Sequence, residues 1–195
     1  MNWPSWMPGG RPKQFREDDI LEKAMCLFWE RGYHDVSVRD IEKATRTKSQ
    51  SLYNHFGDKE GIFVGSIEHY IKSRLNGLIE TAAAESDPRV AVTLVIEHFR
   101  NSAKKSKLAG CFLANAIVDL GSNPEVKKLF DEGFGALTEL LKQRLQELPN
   151  FTPDLAESRA ISITNSIIGL AVSSRSQPTP AQVESVFRGI MELTE

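Results

Sequence analysis

Four times in this chain, a residue that caps helices is followed directly by proline. The four dipeptides are Asp87-Pro88, Asn123-Pro124, Thr152-Pro153 and Thr179-Pro180. Side chains of Asp, Asn and Thr accept hydrogen bonds from the free amides of a first helical turn, and proline suits the next position because it has no amide to satisfy. Each dipeptide therefore predicts a helix start, which constrains most of the chain beyond residue 86 to helical structure.

The apolar residues elsewhere recur every three or four positions, as on the buried face of an α-helix. They predict a first helix over about 17–31 that ends before Gly32, a short second helix capped by Ser37, and a long helix over about 59–84 capped by Asp58. No segment alternates apolar and polar residues in the manner of a strand. We therefore predict an all-α fold of about nine helices.

The composition is that of an ordinary globular protein, with 41% hydrophobic and 26% charged residues. No apolar run approaches the roughly 20 residues of a membrane span, and the start lacks a secretory signal. We expect no membrane segment and a cytoplasmic protein. The two cysteines and four histidines have no metal-ligand spacing, and no nucleophile or phosphate-loop motif is present, so we predict no metal, no cofactor and no enzymatic activity.

The net charge of −2 hides a local excess of +2 over residues 37–55, which permits a nucleic-acid surface there. Within this range, a polar run over 45–51 is followed by a short aromatic segment. On a helix over about 48–56, Leu52 and Phe56 face inward while Gln50 and Asn54 face outward. Such a helix, a few residues after the second one, predicts a helix-turn-helix. Outward Gln and Asn suit adenine edges; the alternative is an ordinary exposed helix of a bundle.

The motifs SVRDI at 37–41 and SLYNHFGDKEGIF at 51–63 closely resemble the N-terminal domain of TetR/AcrR-type transcriptional regulators. The resemblance is specific over 10–63, and the length and helix order also fit this family. Residues 1–16 contain three prolines, two consecutive glycines and no apolar period, which predicts a flexible basic arm. The resemblance implies a DNA-binding domain over 17–58 and an effector-binding and dimerisation domain over 59–195.

By this resemblance, the chain would bind a palindromic double-stranded DNA operator as a homodimer and respond to a small-molecule effector. The residues that it places at or near the DNA are Arg39, Lys48, Ser49, Gln50, Ser51, Tyr53, Asn54, His55 and Lys59.

The turn between the two short helices departs from the family, because this chain has TRTK over 45–48 where members usually have AGVS. If the turn needs a left-handed residue, Arg46 would carry a strain of roughly 1–2 kcal/mol. Thr47 and Gln50 also have the spacing of a capping box. The sequence therefore leaves open whether Gln50 reads a base or caps its own helix.

Residues 10–13, Gly-Arg-Pro-Lys, resemble the core of arms that enter the minor groove. They suggest DNA contacts by Arg11, Lys13 or Arg16, with a flexible tail as the alternative.

In the C-terminal part, small residues line the helix predicted over 153–173 and apolar residues line that over 180–193, and by family resemblance we expect these helices to form the dimer interface. The alternative is packing within one chain. An effector pocket could lie among Phe99, Phe112, Phe130 and Phe134, which could also be plain core.

Cys111 follows a glycine near a helix start, where amides stabilise a thiolate. The resemblance suggests a sensor of oxidants or electrophiles, and the alternative is a buried small residue. We predict that Cys26 is core.

Together these features predict a ligand- or redox-responsive transcriptional repressor. The alternative is a helical adaptor that binds a protein partner through residues 37–56. The two differ in salt dependence, because DNA binding weakens steeply with salt.

Overall fold

The computed structural model describes residues 13–104, 108 and 110–195, with side chains of the first helix from Glu17 onward. The α-helices are α1 (Lys13–Arg31), α2 (Val38–Thr45), α3 (Ser49–Phe56), α4 (Lys59–Tyr70), α5 (Asn76–Ala84), α6 (Pro88–Ala103), α7 (Phe112–Leu120), α8 (Pro124–Gln146), α9 (Pro153–Ser173) and α10 (Pro180–Glu192). A π-helical turn, Ile71–Leu75, joins α4 and α5 into one continuous helix. The described residues thus form nine separate helices, with a 3-10 turn (Ser174–Ser176) after α9, and the all-α prediction is confirmed.

Helices α6, α8, α9 and α10 start at the four predicted points, and each cap makes its hydrogen bond. The Asp87 side chain accepts from the amides of Arg89 and Val90, and Asn123 and Thr152 cap their helices in the same way. Thr179 forms a capping box with Gln182. Local chemistry therefore fixes where each of these helices begins.

Two helices differ from the predictions. Helix α1 begins at Lys13, four residues before the predicted start, and the predicted helix over 59–84 contains the π-helical turn. Opposite this turn, a Cβ at Gly133 would lie 2.6 Å from Leu113 Cδ2 and 3.2 Å from Leu75 Cδ2, so glycine allows α8 to approach it closely. The predicted arm contacts of Arg11, Lys13 and Arg16 lie outside the described backbone or side chains.

The core is continuous from the first helices into the C-terminal part. Phe63 of α4 contacts Phe28 of α1 at 4.9 Å and Phe112 of α7 at 5.8 Å between ring centroids. Trp29 of α1 also meets the ring of Tyr70 at 5.3 Å. Helix α4 therefore packs against both parts of the chain, and any displacement of it would be felt in both. The domain boundaries stay a prediction.

Most of the apolar stripe of α10 is buried within the single chain. Val183, Phe187 and Ile190 are buried within the same chain, where α10 packs against α6 and α9. These three residues are therefore core and do not face a dimer partner, while the prediction that α9 and α10 form the dimer interface stays a prediction. Ile161 of α9 and Val186 of α10 are 46% and 42% exposed, and they stay candidates for an interface.

Candidate nucleic-acid interface

A capping box fixes the start of α2. The Ser37 hydroxyl oxygen accepts from the Asp40 amide at 3.2 Å, and the Asp40 carboxylate accepts from the Ser37 amide at 2.9 Å. The Ser37 hydroxyl also donates to the Asp40 carboxylate at 2.6 Å. This bond first, then the one from the Ser37 amide, and then Arg31 lower the pKa of Asp40 to about 2. Arg39, the neighbour of Asp40, is exposed on α2, where the sequence places a DNA contact.

The turn after α2 does need a left-handed residue. Arg46 has φ 55° and ψ 32°, as the conditional prediction required. The Thr45 hydroxyl donates to the Ile41 carbonyl at 2.8 Å and accepts from the Thr47 amide at 3.3 Å. Both threonines are buried, so the turn satisfies its polar groups internally without a glycine.

The left-handed conformation makes Arg46→Gly a stabilising change. In the left-handed conformation, a residue with a Cβ destabilises the folded state by roughly 1–2 kcal/mol, and glycine removes this cost. Glycine also has greater entropy in the unfolded state, which offsets about 0.5–1 kcal/mol of the gain. We expect the free energy of unfolding in urea to rise by about 0.5–1 kcal/mol. Arg46→Ala is the matched control, because it removes the same side chain and keeps the Cβ. A glycine variant no more stable than the alanine variant would contradict the prediction.

The predicted capping box between Thr47 and Gln50 is wrong. The N-terminal cap of α3 is Lys48, which makes no side-chain capping bond, and the hydroxyl of Thr47 lies 3.4 Å from the carbonyl of Thr45 instead. The Gln50 side chain donates from Nε2 to Oδ1 of Asn54 at 3.0 Å. Gln50 is therefore free of any capping role and is held in place by Asn54.

Helix α3 has one anchored face and one polar face, as the helical wheel predicted. Leu52 is fully buried and Phe56 is half-buried. The side chains that the helix exposes, together with its cap, are those of Lys48, Gln50, Ser51, Tyr53, Asn54 and His55. None of these side chains is acidic, which suits contact with a polyanion.

Two of the predicted DNA-contacting side chains of α3 are bonded to other helices. The Ser49 hydroxyl donates to Glu42 of α2 at 3.3 Å, and Nε2 of His55 lies 3.1 Å from a carboxylate oxygen of Glu17 in α1. These contacts hold α3 at both ends. In this structure, Ser49 and His55 thus support the helix, while the outward surface consists of Gln50 and its exposed neighbours.

Lys59 lies at the start of α4, beside the end of α3. Its ammonium is 4.2 Å from the centre of the Tyr33 ring, a cation–π contact. Burial lowers the pKa of Lys59, and the charge of Asp35 acts in the opposite direction. Asp58 caps this helix by accepting from the Gly61 amide at 2.8 Å. Lys59, the first residue of the helix, carries the positive charge at its start.

The comparisons with known proteins match this geometry. The model of the family "Bacterial regulatory proteins, tetR family" matches residues 20–65, a range that contains α2, the turn and α3. A solved cysteine mutant of the TetR family transcriptional regulator CifR, in complex with 26-bp double-strand operator DNA, is 25% identical, with a TM-score of 0.72 over 91% of this chain and 98% of that one. Over residues 20–65, the chain carries the N-terminal sequence of the TetR family.

Further similarities are partial in sequence or confined to the fold. The HTH-type transcriptional repressor ComR of Escherichia coli (strain K12) is 36% identical over 111 residues, which are 54% of this chain and 51% of ComR. The chain therefore spans about half the length of ComR. SCO4454, a TetR-family regulator from Streptomyces coelicolor, has a TM-score of 0.80 over 93% of this chain and 95% of its own at 14% identity, which shows the shared fold.

Cys111 is fully buried at the start of α7, with its Sγ 3.3 Å from the Tyr70 hydroxyl. Burial raises the pKa of this thiol, although the Tyr70 hydroxyl and the amides of Ala114 and Leu113 act in the opposite direction. The predicted stabilisation of a thiolate by the helix start is therefore outweighed. The structure favours the alternative, a buried small residue.

The four phenylalanines suggested for an effector pocket lie in the core. Phe99, Phe112 and Phe134 are buried, and the half-buried Phe130 contacts Phe134 at 5.0 Å between ring centroids. Phe112 packs against the ring of Tyr70 at 5.9 Å. Packing against neighbouring side chains already accounts for their positions.

A cleft of about 330 Å³ opens between α1, the π-helical turn and α6. Glu22, Cys26 and Trp29 line it from α1, Arg74 from the π-helical turn and Asn101 from α6. Cys26 is half-buried: it packs against the core, as predicted, and one side of it borders this cleft. Burial, and then the charge of Glu22, raise the pKa of Cys26. Nothing in the sequence pattern brought these residues together, because they come from three separate helices.

Among the residues that the structure describes, neither a metal-binding cluster nor a helix able to cross a membrane is present. No three His, Cys, Asp or Glu side chains lie close enough to hold a metal ion. None of the helices combines the length and the apolar character that crossing a bilayer demands.

Proposed function

We propose that this protein is a DNA-binding transcriptional repressor that binds a palindromic operator as a homodimer through α3. The observation that carries the proposal is the two-sided character of α3: Leu52 anchors the helix, and a polar face without acidic residues points outward. A helix of eight residues has room to enter the major groove, which admits a single α-helix. Two such helices in a dimer would occupy successive major grooves about 34–36 Å apart.

The outward side chains divide into two roles. Gln50 and Asn54 form an amide pair whose remaining donor and acceptor atoms suit the N6 and N7 edge of adenine. Arg39, Lys48 and Lys59 suit phosphates by charge, and the Tyr53 hydroxyl suits a phosphate as a donor. Base contacts specify the sequence, while phosphate contacts position the protein.

The relatives support the repressor role and the DNA partner, because ComR is a transcriptional repressor and CifR is solved on operator DNA. The exposed Ile161 and Val186 on the last two helices give the homodimer a candidate contact surface. A protein that binds an operator must reach chromosomal DNA, so we place it in the cytoplasm.

We further propose that a small molecule releases the protein from DNA by binding in the cleft between α1, the π-helical turn and α6. Its volume of about 330 Å³ lies at the lower end of the range for ligand pockets. The cleft lies between α1 and α6 and borders the continuous helix α4–α5. A displacement of that helix would change the spacing of the two recognition helices in the dimer. Release requires that the effector bind the two conformations with different affinities.

Selection of duplexes from a random pool by the full-length protein tests the proposed function. We expect an inverted repeat whose half-sites lie one helical turn apart. Failure to enrich any duplex, together with salt-insensitive capture of a protein partner, would support the adaptor alternative instead. No contact in the structure favours that alternative at present.

Lys59→Ala should weaken binding to all duplexes about equally, because a phosphate contact carries no sequence information. The salt dependence should also become shallower, by about 0.9 in log K against log salt for each lost contact, or about 1.8 for a dimer. Fluorescence anisotropy at several salt concentrations measures both effects, and Lys128→Ala, an exposed lysine on α8, is the matched control. An unchanged slope would remove Lys59 from the phosphate contacts.

A further inference from the structure

Asp119, near the end of α7, makes a two-pronged ion pair with Arg175. Nη1 and Nη2 of Arg175 donate to the two carboxylate oxygens at 2.7 and 3.1 Å. The Asp119 side chain is only 12% exposed. Arg175 belongs to the 3-10 turn that directly follows α9. Paired, partly buried arginine–carboxylate forks are geometrically restrictive, so this pair fixes the end of α9 against α7.

The same carboxylate also holds the turn between α1 and α2. The Tyr33 amide donates to Asp119 Oδ2 at 2.9 Å, and Nε2 of His34 lies 3.1 Å from the Asp119 carbonyl oxygen. Gly32 has φ 85°, and a Cβ there would lie 3.2 Å from Arg175 Nη2. A residue without a side chain therefore lets the turn come close to the ion pair, which Tyr33 contacts through its amide, while His34 contacts the backbone of Asp119.

From this turn, the contacts continue to the proposed DNA-binding surface. The Tyr33 ring, 4.9 Å from the Phe63 ring, lies under the Lys59 ammonium. A continuous series of contacts thus runs from Arg175 through Asp119 and Tyr33 to Lys59. One end of the series is Arg175, directly after α9, the helix that offers a candidate dimer contact. The other end is Lys59, the residue proposed to bind phosphate.

We propose that Asp119 is a positioning residue for operator binding, which sets the orientation of the helix-turn-helix relative to α9 without touching DNA. This inference rests on the proposed function. A dimer gains affinity for two half-sites only if both recognition helices have the right separation and angle. The Asp119–Arg175 pair restricts both quantities, because it bonds the turn that leads into α2 to the end of α9.

Breaking the pair should therefore lower operator affinity while the chain stays folded. Asp119→Asn keeps the size of the side chain and an oxygen for the Tyr33 amide, but it loses the charge that holds Arg175. Arg175→Gln breaks the same pair from the other side. The matched control is Arg100→Gln, because Arg100 bonds Glu184 across α6 and α10 with similar exposure, away from the helix-turn-helix.

Three duplexes distinguish positioning from a general loss of binding. The first is the duplex that the wild-type protein selects, the second has one base pair inserted between its half-sites, and the third is scrambled. One base pair rotates the second half-site by about 35°. We expect both variants to lose about 5- to 150-fold in affinity for the selected duplex, the range of typical coupling between sites. Their affinity for the scrambled duplex should not change, and their preference for the selected over the respaced duplex should shrink.

Three results would overturn the proposal. Equal affinity of wild type and both variants for the selected duplex would show that the pair has no positioning role. A loss of affinity by the same factor for all three duplexes would indicate that fewer protein molecules are able to bind DNA at all. Failure of both variants to fold, seen by circular dichroism, would show that the pair serves folding only. If the wild-type protein itself selects no duplex, the proposed function fails first.

Discussion

Leu52→Ala is expected to lower the free energy of unfolding by about 2–5 kcal/mol, the range for truncation of a buried leucine. Leu52 is fully buried and is the central anchor of α3. A helix this short does not hold together alone, since isolated helices need about 12–15 residues. The lost packing therefore destabilises the recognition helix directly, and DNA binding should fall with it.

Urea denaturation of the wild type and the Leu52→Ala variant measures this loss. Tyr53→Ala is the matched control for stability, because it truncates the adjacent, 42% exposed residue of the same helix. We expect that change to lie within about 0.5 kcal/mol, as for most surface substitutions. A loss of less than about 1 kcal/mol for Leu52→Ala would show that α3 does not depend on this anchor.

Gln50→Ala should cost about 1–3 kcal/mol in affinity for the selected duplex, which is about 5- to 150-fold, because a bidentate contact to a base is worth that much discrimination. The structure shows Gln50 bonded to Asn54 and free of the capping role, so its amide is available to a base. Affinity for a scrambled duplex should not change. Since Gln50 and Asn54 act as one unit, the double variant should lose less than the sum of the two single losses.

Anisotropy titrations of the selected and scrambled duplexes measure this effect. Gln143→Ala is a matched control, because Gln143 likewise donates from Nε2 across one helical turn, to Glu139 at 3.0 Å, and lies on α8 away from the proposed interface. If Gln50→Ala weakens both duplexes by the same factor, Gln50 does not read a base.

The parts of the fold that depend on local chemistry could be predicted from the sequence. Capping side chains before proline marked four helix starts, because the hydrogen bonds of a cap involve residues at most three positions apart. The exposed and buried faces of α3 followed from helical spacing around Leu52. The left-handed conformation of Arg46 was expected only if the turn kept the left-handed residue of the family's AGVS turn, a condition that the structure meets.

The features that depend on distant residues could not be predicted. The π-helical turn is matched to Gly133, more than 50 residues away, and the Asp119–Arg175 pair joins residues 56 positions apart. The apolar stripe of α10 showed that one face is buried, but periodicity does not distinguish burial against α6 and α9 from burial against a second chain. Likewise, the spacing that placed Cys26 in the core did not show the cleft beside it.

The most direct test of DNA recognition by α3 is the affinity of the wild-type protein for its selected duplex as a function of salt. We expect log K to fall linearly with log salt, with a slope of about −0.9 for each phosphate neutralised, and selectivity over the scrambled duplex at every salt concentration. With 6–10 phosphate contacts, affinity should fall by about 10³- to 10⁵-fold between 50 and 200 mM salt. An affinity that is independent of salt and equal for the two duplexes would contradict DNA recognition by α3.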